Sequence, residues 1–256
     1  MKFKDKTAVV TGGANGIGRC IAEHFAAAGA QVAVIDMDKA AGEMLEEKFA
    51  GQIFFFYGDV GRESDLDAFV KAVLTRFPSV NFLINNAMKS KGGILSECSY
   101  EDFEYALRIG ITAPYYLTMR FKEHFAPSAA VVNISSSRSS QSQPNTESYT
   151  AAKGGIAALT HGLSVSLSGI ARVNAIAPGW IDTSLWQKNG TEPKHSVADC
   201  IQHPAGRVGK PEDIARLTMF LCSEDAGFIT GQEIFADGGM SKLMVYHNDC
   251  GWEYKK

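Results

Sequence analysis

The sequence predicts an α/β fold: a doubly wound parallel sheet of about seven strands with helices on both faces. Three observations predict it. Short β-branched or aromatic runs alternate with longer amphipathic stretches through most of the chain. Several of the short runs are apolar at every position, as strands covered on both faces must be. A glycine-rich loop joins the first run to the first amphipathic stretch, the arrangement that opens a βαβ unit.

Taken in order, the predicted strands are 7–10, 31–36, 53–57, 81–85, 130–135, 172–177 and 233–236. Between the first two, Ile17, Ile21 and Phe25 recur at helical spacing, and Gly29 stands where a left-handed residue ends a helix. The polar stretch 135–148 reads as a loop and 184–205 as a longer, irregular insertion; both are placed to line a site. No repeat or linker interrupts the pattern, so residues 1–242 are expected to form one domain including that insertion, followed by a tail over 243–256. Tyr246, Trp252 and Tyr254 in the tail are too apolar to stand free in water, and are expected to pack on their own subunit or a neighbour.

Composition narrows the function. A formal net charge of -3 over 256 residues, with no block of basic residues, gives no reason to expect a nucleic acid or an anionic membrane as partner. A small-molecule partner fits better. The first five residues include the charged Lys2, Lys4 and Asp5 and lead into an apolar stretch that stops at Gly12, too short for a signal peptide or a membrane span, and the expected location is the cytoplasm. Cys20, Cys98, Cys200, Cys222 and Cys250 form an odd set without a CxxC pair, which suits free thiols in a reducing compartment. The six histidines show no ligand spacing, and no metal is expected.

The loop Thr11-Gly12-Gly13-Ala14-Asn15-Gly16-Ile17-Gly18 lies between the first strand and the first helix. Glycines there let the backbone turn sharply and approach a pyrophosphate, whose charge is met by free N–H groups and the positive end of the helix dipole. Asp36 ends the second strand, where a carboxylate accepts hydrogen bonds from both adenosine ribose hydroxyls and repels a 2′-phosphate. Met37 follows it, so no arginine waits there for a phosphate, and NAD is favoured over NADP. Asp36 also reads as an N-cap for the helix that begins near Lys39.

Tyr149 and Lys153 stand four residues apart at the head of a predicted helix running to about Ser168, so both fall on one face. A phenol titrates near ~10, and a neighbouring ammonium favours the phenolate, making the hydroxyl a usable acid or base near neutrality. Such a pair occurs by chance on many helices. The glycine loop upstream and the serine run at 135–137 give it weight.

With those features in view, the chain resembles the compact form of the short-chain dehydrogenase/reductase family, which has a Rossmann-type fold. The resemblance covers residues 6–241 and rests on Thr11 to Gly18, Asp59-Val60, Asn85-Asn86-Ala87, Asn133-Ile134-Ser135-Ser136, Tyr149-x-x-x-Lys153, Pro178-Gly179-Trp180-Ile181-Asp182-Thr183, Arg207-Val208-Gly209-Lys210-Pro211-Glu212-Asp213, Thr230-Gly231-Gln232 and Asp237-Gly238-Gly239. It implies that Ser136 donates a hydrogen bond to the substrate oxygen, with Ser135 and Ser137 as alternatives for that role. It further implies that Lys153 holds the nicotinamide ribose, Asp59 and Val60 meet the adenine, Asn86 with Ala87 the adjoining ribose region, and Ile181 with Thr183, after Pro178 and Gly179, the carboxamide. Tyr149 then exchanges the substrate proton, and the family habit implies a homo-oligomer, dimer or tetramer.

The chain departs from the family at two positions. Met88 stands where glycine usually follows Asn-Asn-Ala, which puts a long side chain near the nicotinamide. Gly110 stands at the family's usual asparagine, whose main-chain carbonyl is implied to hold a water of the proton relay; glycine keeps that carbonyl. On the substrate side Arg138, Gln141, Gln143, Asn145 and Glu147 precede Tyr149, and Trp186, Lys188, Lys194, His195 and His203 occupy the insertion. Their polarity together points to a polar or anionic substrate, although any one of them alone reads more readily as a solvated loop residue. The expected activity is NAD-dependent hydride transfer between an alcohol and its carbonyl. The competing reading, from Met88 and Gly110, is an NAD-binding regulator or scaffold without turnover.

Overall fold

The computed structural model describes residues 3–246, 248, 249 and 253. Strands β1 (Thr7–Thr11), β2 (Gln31–Asp36), β3 (Ile53–Tyr57), β4 (Val80–Asn85), β5 (Phe125–Ile134), β6 (Ala171–Pro178) and β7 (Glu233–Ala236) form one seven-stranded sheet. Its order is β3-β2-β1-β4-β5-β6-β7 and every pair is parallel. The chain order reverses between β1 and β4, and in such sheets a ligand crevice opens there, beyond the carboxyl ends of the strands.

Each predicted run becomes a strand. The one large boundary shift is in β5, which begins at Phe125, well before the predicted start at 130. Val80 pairs with Phe125, and the register then shifts before Phe82 pairs with Ala130. Pro127 and the left-handed Ser128 (φ 63°) lie in that irregularity, and they hide the strand from any reading of periodicity.

Alternate strand residues feed two cores. Ala8 and Val10 of β1, Phe82 and Ile84 of β4, and Ala130 and Val132 of β5 point to one face; Val9, Leu83, Ala129 and Val131 point to the other. Helices α1 (Gly16–Ala27), α2 (Lys39–Lys48) and α8 (Pro211–Leu221) cover the first face with Ile21, Phe25, Leu45, Ile214 and Leu221. Helices α3 (Glu63–Arg76) and α5 (Ala113–Phe121) cover the second with Phe69, Val73, Leu117 and Phe121. Gly29 follows α1 in a left-handed conformation (φ 95°), as expected of the residue that ends it.

Three further helices shape the ligand end: α4 (Tyr100–Leu107), α6 (Glu147–Ser166) and the short α7 (Val197–Ile201). A π-helical turn, Arg108–Thr112, joins α4 to α5. In the tail, Tyr246 is 66% exposed and its hydroxyl donates to Met244 Sδ (3.1 Å). Tyr246 therefore does not pack on its own subunit, and Trp252 and Tyr254, expected with it to pack on their own subunit or a neighbour, lie outside the described residues.

Helix α6 is fastened to the sheet by a buried polar chain. Asn85 Nδ2 donates to Asn133 Oδ1 (2.8 Å), Asn133 Nδ2 donates to Thr160 Oγ1 (2.9 Å), and Thr160 Oγ1 donates to Ile156 O (2.8 Å). All three side chains are buried, so removing the middle one leaves the Asn85 amide without its acceptor and Thr160 Oγ1 without its donor, away from water. Asn133→Ala should cost about 2 kcal/mol and lower the melting temperature by about 4–8 °C in thermal unfolding. An unchanged melting temperature would contradict that role.

Candidate active site

The loop after β1 is built to leave a helix end open. Asn15 is the N-cap of α1, yet its Nδ2 donates to Asp38 Oδ2 (3.0 Å) and its Oδ1 accepts from Lys188 N (2.8 Å). No side chain caps the first turn and no acidic residue stands in it, so its donors and dipole face the crevice unspent. Gly12 turns the chain with φ 63°, and a Cβ there would lie 2.9 Å from Ala87 Cα. A Cβ on Gly18 would lie 2.1 Å from Gly12 O, which makes Gly18 a packing residue under the loop.

Asn86 braces the same loop from β4. Its Nδ2 donates to Thr11 O (3.0 Å) and Gly12 O (2.9 Å), while Thr11 Oγ1 accepts from the main-chain N–H of Asn86 and of Ala87. Asp36 closes the far side: Oδ2 accepts from Ala14 N (2.9 Å) and Oδ1 from Asp38 N (2.9 Å). The N-cap of α2 is Asp38, whose Oδ1 accepts from Ala41 N (3.0 Å), and this corrects the reading that gave Asp36 that duty. A β-strand residue sits too far ahead of the helix start to reach its first-turn donors.

These groups border a cleft of about 340 Å³ lined by Gly12, Asn15, Gly16, Asp36, Met37, Asp59, Val60, Asn86 and Ala87 from the sequence expectation. Ile35, Gly58, Met88, Lys89, Ile109 and Gln187 complete it. Ile17 is turned instead to the first core, and Gly18 lines no cleft. Asp59 is buried, its carboxylate accepting from Tyr105 OH (2.9 Å) and Gly61 N (2.8 Å). Burial, reinforced by that carboxylate, pushes the Tyr105 phenol up to about 12.

Tyr149 and Lys153 share one face at the start of α6. Lys153 is 4% exposed, its Nζ donates to Ile134 O (2.6 Å), and it lies 5.5 Å from the Tyr149 ring centroid. Burial lowers its ammonium to about 8. Ser135 lies within hydrogen-bonding reach of both Glu233 Oε1 (2.7 Å) and Lys153 O (3.2 Å), a structural setting. Ser136 is different: it lines a second cleft beside Tyr149, and its Oγ accepts from Arg138 N (3.2 Å), which leaves its hydroxyl hydrogen for a ligand. Ser137 lines that cleft as well, while its carbonyl accepts from Gln141 N (3.1 Å).

The two departures from the family pattern meet in space. A Cβ on Gly110, in the π-helical turn, would lie 2.7 Å from Ala152 Cβ of α6 and 3.1 Å from Met88 Sδ. The missing side chain at 110 therefore lets α6 come close and lets the Met88 thioether sit beside it. Gly110 itself lines neither cleft.

The second cleft, about 1080 Å³, is lined by Ser90, Ser136, Arg138, Gln141, Gln143, Tyr149, Gly179, Trp180, Ile181, Gln202 and Met240 among others. Asn145 and Glu147 are spent elsewhere, accepting from Leu95 N (3.1 Å) and Ile94 N (3.2 Å). Pro178 is buried at the end of β6, and Thr183 Oγ1 accepts from Gln187 Nε2 (2.9 Å) close to Gly16. His195 Nε2 meets Asp182 Oδ2 (2.6 Å); hydrogen bonds from Ser184, with His195 adding to them, hold that carboxyl below its ordinary range. Trp186 packs on the first core and His203 is buried, whereas Lys188 and Lys194 are exposed. Lys188 N on Asn15 pins the insertion over the glycine loop, which brings Gln187 into the first cleft. Nothing in an irregular stretch without periodicity announces that fold-back.

Among the described residues no helix is long and apolar enough to cross a membrane, and no group of three or more His, Cys, Asp or Glu is placed to hold a metal ion.

The family model described as enoyl-(acyl carrier protein) reductase matches residues 12–241. An uncharacterized oxidoreductase of Thermotoga maritima is 41% identical, with 95% of this chain and 99% of that protein covered. The L-fucose dehydrogenase of Mus musculus is 35% identical, with 93% and 89% covered. Among solved structures, an apo SCOR enzyme from Clostridium thermocellum superposes with a TM-score of 0.91 at 40% identity, covering 98% of this chain and 99% of that one. A 3-ketoacyl-(acyl-carrier-protein) reductase from Brucella melitensis, complexed with NADH, gives 0.83 at 30% identity, covering 93% and 99%. With its seven-stranded parallel Rossmann-type sheet and these relatives, the chain belongs to the short-chain dehydrogenase/reductase family of oxidoreductases.

Proposed function

We propose that the protein interconverts a small polar alcohol and its carbonyl with NAD as hydride carrier, and that Tyr149 exchanges the substrate proton. The observation that carries this reading is the meeting of Ser136, Tyr149 and Lys153 where the two clefts approach, the segment from Met88 to Ser90 bordering both. The cofactor-side cleft fits a dinucleotide: an uncapped helix end for the pyrophosphate, Asp36 for the adenosine ribose, and Asp59 and Val60 for the adenine edge. Ile181 and Thr183 would meet the carboxamide and Lys153 the nearby ribose. Bound there, NAD supplies the hydride acceptor, and its reduced form the donor.

The side chains supply the rest. Ser136 donates its hydroxyl hydrogen to the substrate oxygen and stabilises the charge that gathers there. Tyr149 takes the hydroxyl proton of an alcohol at its phenolic oxygen, or gives it back to a carbonyl. Lys153, charged below about 8, favours the phenolate through its proximity to the ring. The preference for NAD is supported by Asp36, a carboxylate that repels a 2′-phosphate, and by Met37, which offers no cation beside it. Assembly as a dimer or tetramer belongs to the same reading, supported by apolar side chains left in solvent such as Tyr100, Tyr115 and Phe228.

Tyr149→Phe should lower turnover of an accepted alcohol by more than about a hundredfold while leaving NAD affinity within a few-fold. Undiminished turnover would remove Tyr149 from this role, and NAD binding without turnover of any alcohol or ketone by the unaltered protein would favour a regulator. Asp36→Ala should reduce the NAD-to-NADP preference at least about tenfold in binding titrations; an unchanged ratio would reassign the discrimination.

Lys153 also writes a pH signature into stability. An unfolded lysine titrates near 10.5 and the folded one near 8, so between these values the folded chain has released a proton that the unfolded chain keeps. Stability from this group therefore rises with pH across that window and is lowest below 8. Compared with Lys153→Met, the unaltered protein should gain up to about 3 kcal/mol between pH 7 and pH 10.5 in denaturant unfolding. A constant difference would show that the ammonium is not held against its hydration.

A further inference from the structure

We propose that Arg138 captures a carboxylate of the substrate, so that the alcohol and carbonyl interconverted here are a short hydroxy acid and its oxo acid. This rests on the oxidoreductase reading above and names its substrate class. Three independent features of the second cleft carry it.

The first is its charge. Of the described residues that line the cleft, Arg138 is the one with a permanent charge, and none is an aspartate or glutamate. Its polar neighbours there are hydroxyls and amides: Ser136, Ser142, Gln141, Gln143 and Gln202. The second is its partner. Among the described residues Arg138 makes no salt bridge, and its guanidinium donates to the side-chain oxygen of Gln143. Glu147, the carboxylate nearest in sequence, faces away and accepts from Ile94 N. A guanidinium carries five N–H donors in a planar fork, so one neutral amide leaves most of them, and the whole charge, unmatched. A carboxylate matches that fork with two parallel hydrogen bonds. A neutral sugar or ketone in the cleft would displace water from the cation and return no charge, which opposes its binding.

The third is position. The Arg138 Cζ lies 5.4 Å from the centroid of the Tyr149 ring. Its main-chain N–H donates to Ser136 Oγ, and the 3-10 turn Ser137–Ser139 holds the backbone. The serine that meets the reacting oxygen and the arginine that meets the carboxylate are thus rigidly spaced two residues apart. Because the guanidinium lies over the ring that bears the reacting hydroxyl, only a few bonds can separate the carboxylate from the reacting carbon. Hydroxy acids with the hydroxyl on the second or third carbon have that spacing.

The test pairs each acid with its own amide. With NAD, kcat and KM would be measured for a series of short 2- and 3-hydroxy acids and for the corresponding hydroxy amides, using the unaltered protein, Arg138→Gln and Arg138→Lys. In parallel, unreactive short carboxylic acids would be titrated into the NADH-loaded protein with Trp180, a lining residue, as the fluorescent reporter. We expect the unaltered protein to favour acids over amides by at least about a hundredfold in kcat/KM, chiefly through KM. That preference should collapse to a few-fold in Arg138→Gln and stay intermediate in Arg138→Lys, which keeps the charge without the fork. NADH affinity checks that each variant is folded.

Equal use of acids and amides by the unaltered protein overturns the proposal. So does an Arg138→Gln variant that loses acids and amides in the same proportion, the result expected if the guanidinium acts only on the Tyr149 ring. If NADH binds and nothing is turned over, the oxidoreductase reading fails by itself and the titration decides the anchor. Carboxylate binding abolished by Arg138→Gln sustains it, and absence of carboxylate binding overturns it.

Discussion

The bond from the buried Lys153 ammonium to the Ile134 carbonyl is the contact on which the rest of the site depends. It takes a charge out of water at the carboxyl end of β5 and ties the first turns of α6 to the sheet. Alone it would be a poor fastening, since the cost of dehydrating the ammonium opposes it. It holds because α6 is fixed independently. Thr160 receives the Asn133 amide further along the helix, and Ser135 at the end of β5 can donate its one hydroxyl hydrogen to Glu233 of β7 or to the Lys153 carbonyl. With α6 pinned in this way, Tyr149 is placed one turn before Lys153 with little freedom, as the proton exchange proposed for it requires.

The same docking explains why two departures from the family pattern occur together. Helix α6 approaches the π-helical turn so closely that Ala152 occupies the space a Cβ on Gly110 would need, and Met88 Sδ fills in beside it. The two departures form one packing unit, with Met88 lining the first cleft. A lost asparagine side chain there leaves the hydroxyl, phenol and ammonium of Ser136, Tyr149 and Lys153 in place. What changes is the lining of the first cleft: a polarizable thioether stands where the family usually has glycine.

Much of the fold was legible because the central strands are buried on both faces, and continuous apolar runs such as Ala8 to Val10 or Phe82 to Ile84 admit few other readings. The start of β5 was not, because Pro127 and the left-handed Ser128 break the pattern that periodicity detects. The glycine loop was legible for a similar reason, a close approach that tolerates no side chain at Gly12 or Gly18. Tertiary folding hid the rest. Nothing local told that Asp38 and not Asp36 caps α2, or that Gln187 folds back over the glycine loop. Arg138 was visible as one polar residue in a polar loop; its unmatched charge over Tyr149 emerged only when Glu147 was seen to face elsewhere.

Hydride delivery to a carbonyl carbon is the claim that joins the two clefts, and isotope transfer tests it most directly. The unaltered protein would be incubated with NADH deuterated at the transferable position of its nicotinamide and a panel of short 2-oxo and 3-oxo acids, and the products weighed by mass spectrometry. The account predicts one deuterium on the carbinol carbon of a hydroxy acid for each NADH consumed. NADH bound by the protein with no deuterium reaching any product, or deuterium delivered only to a carbon–carbon double bond offered alongside, would contradict it.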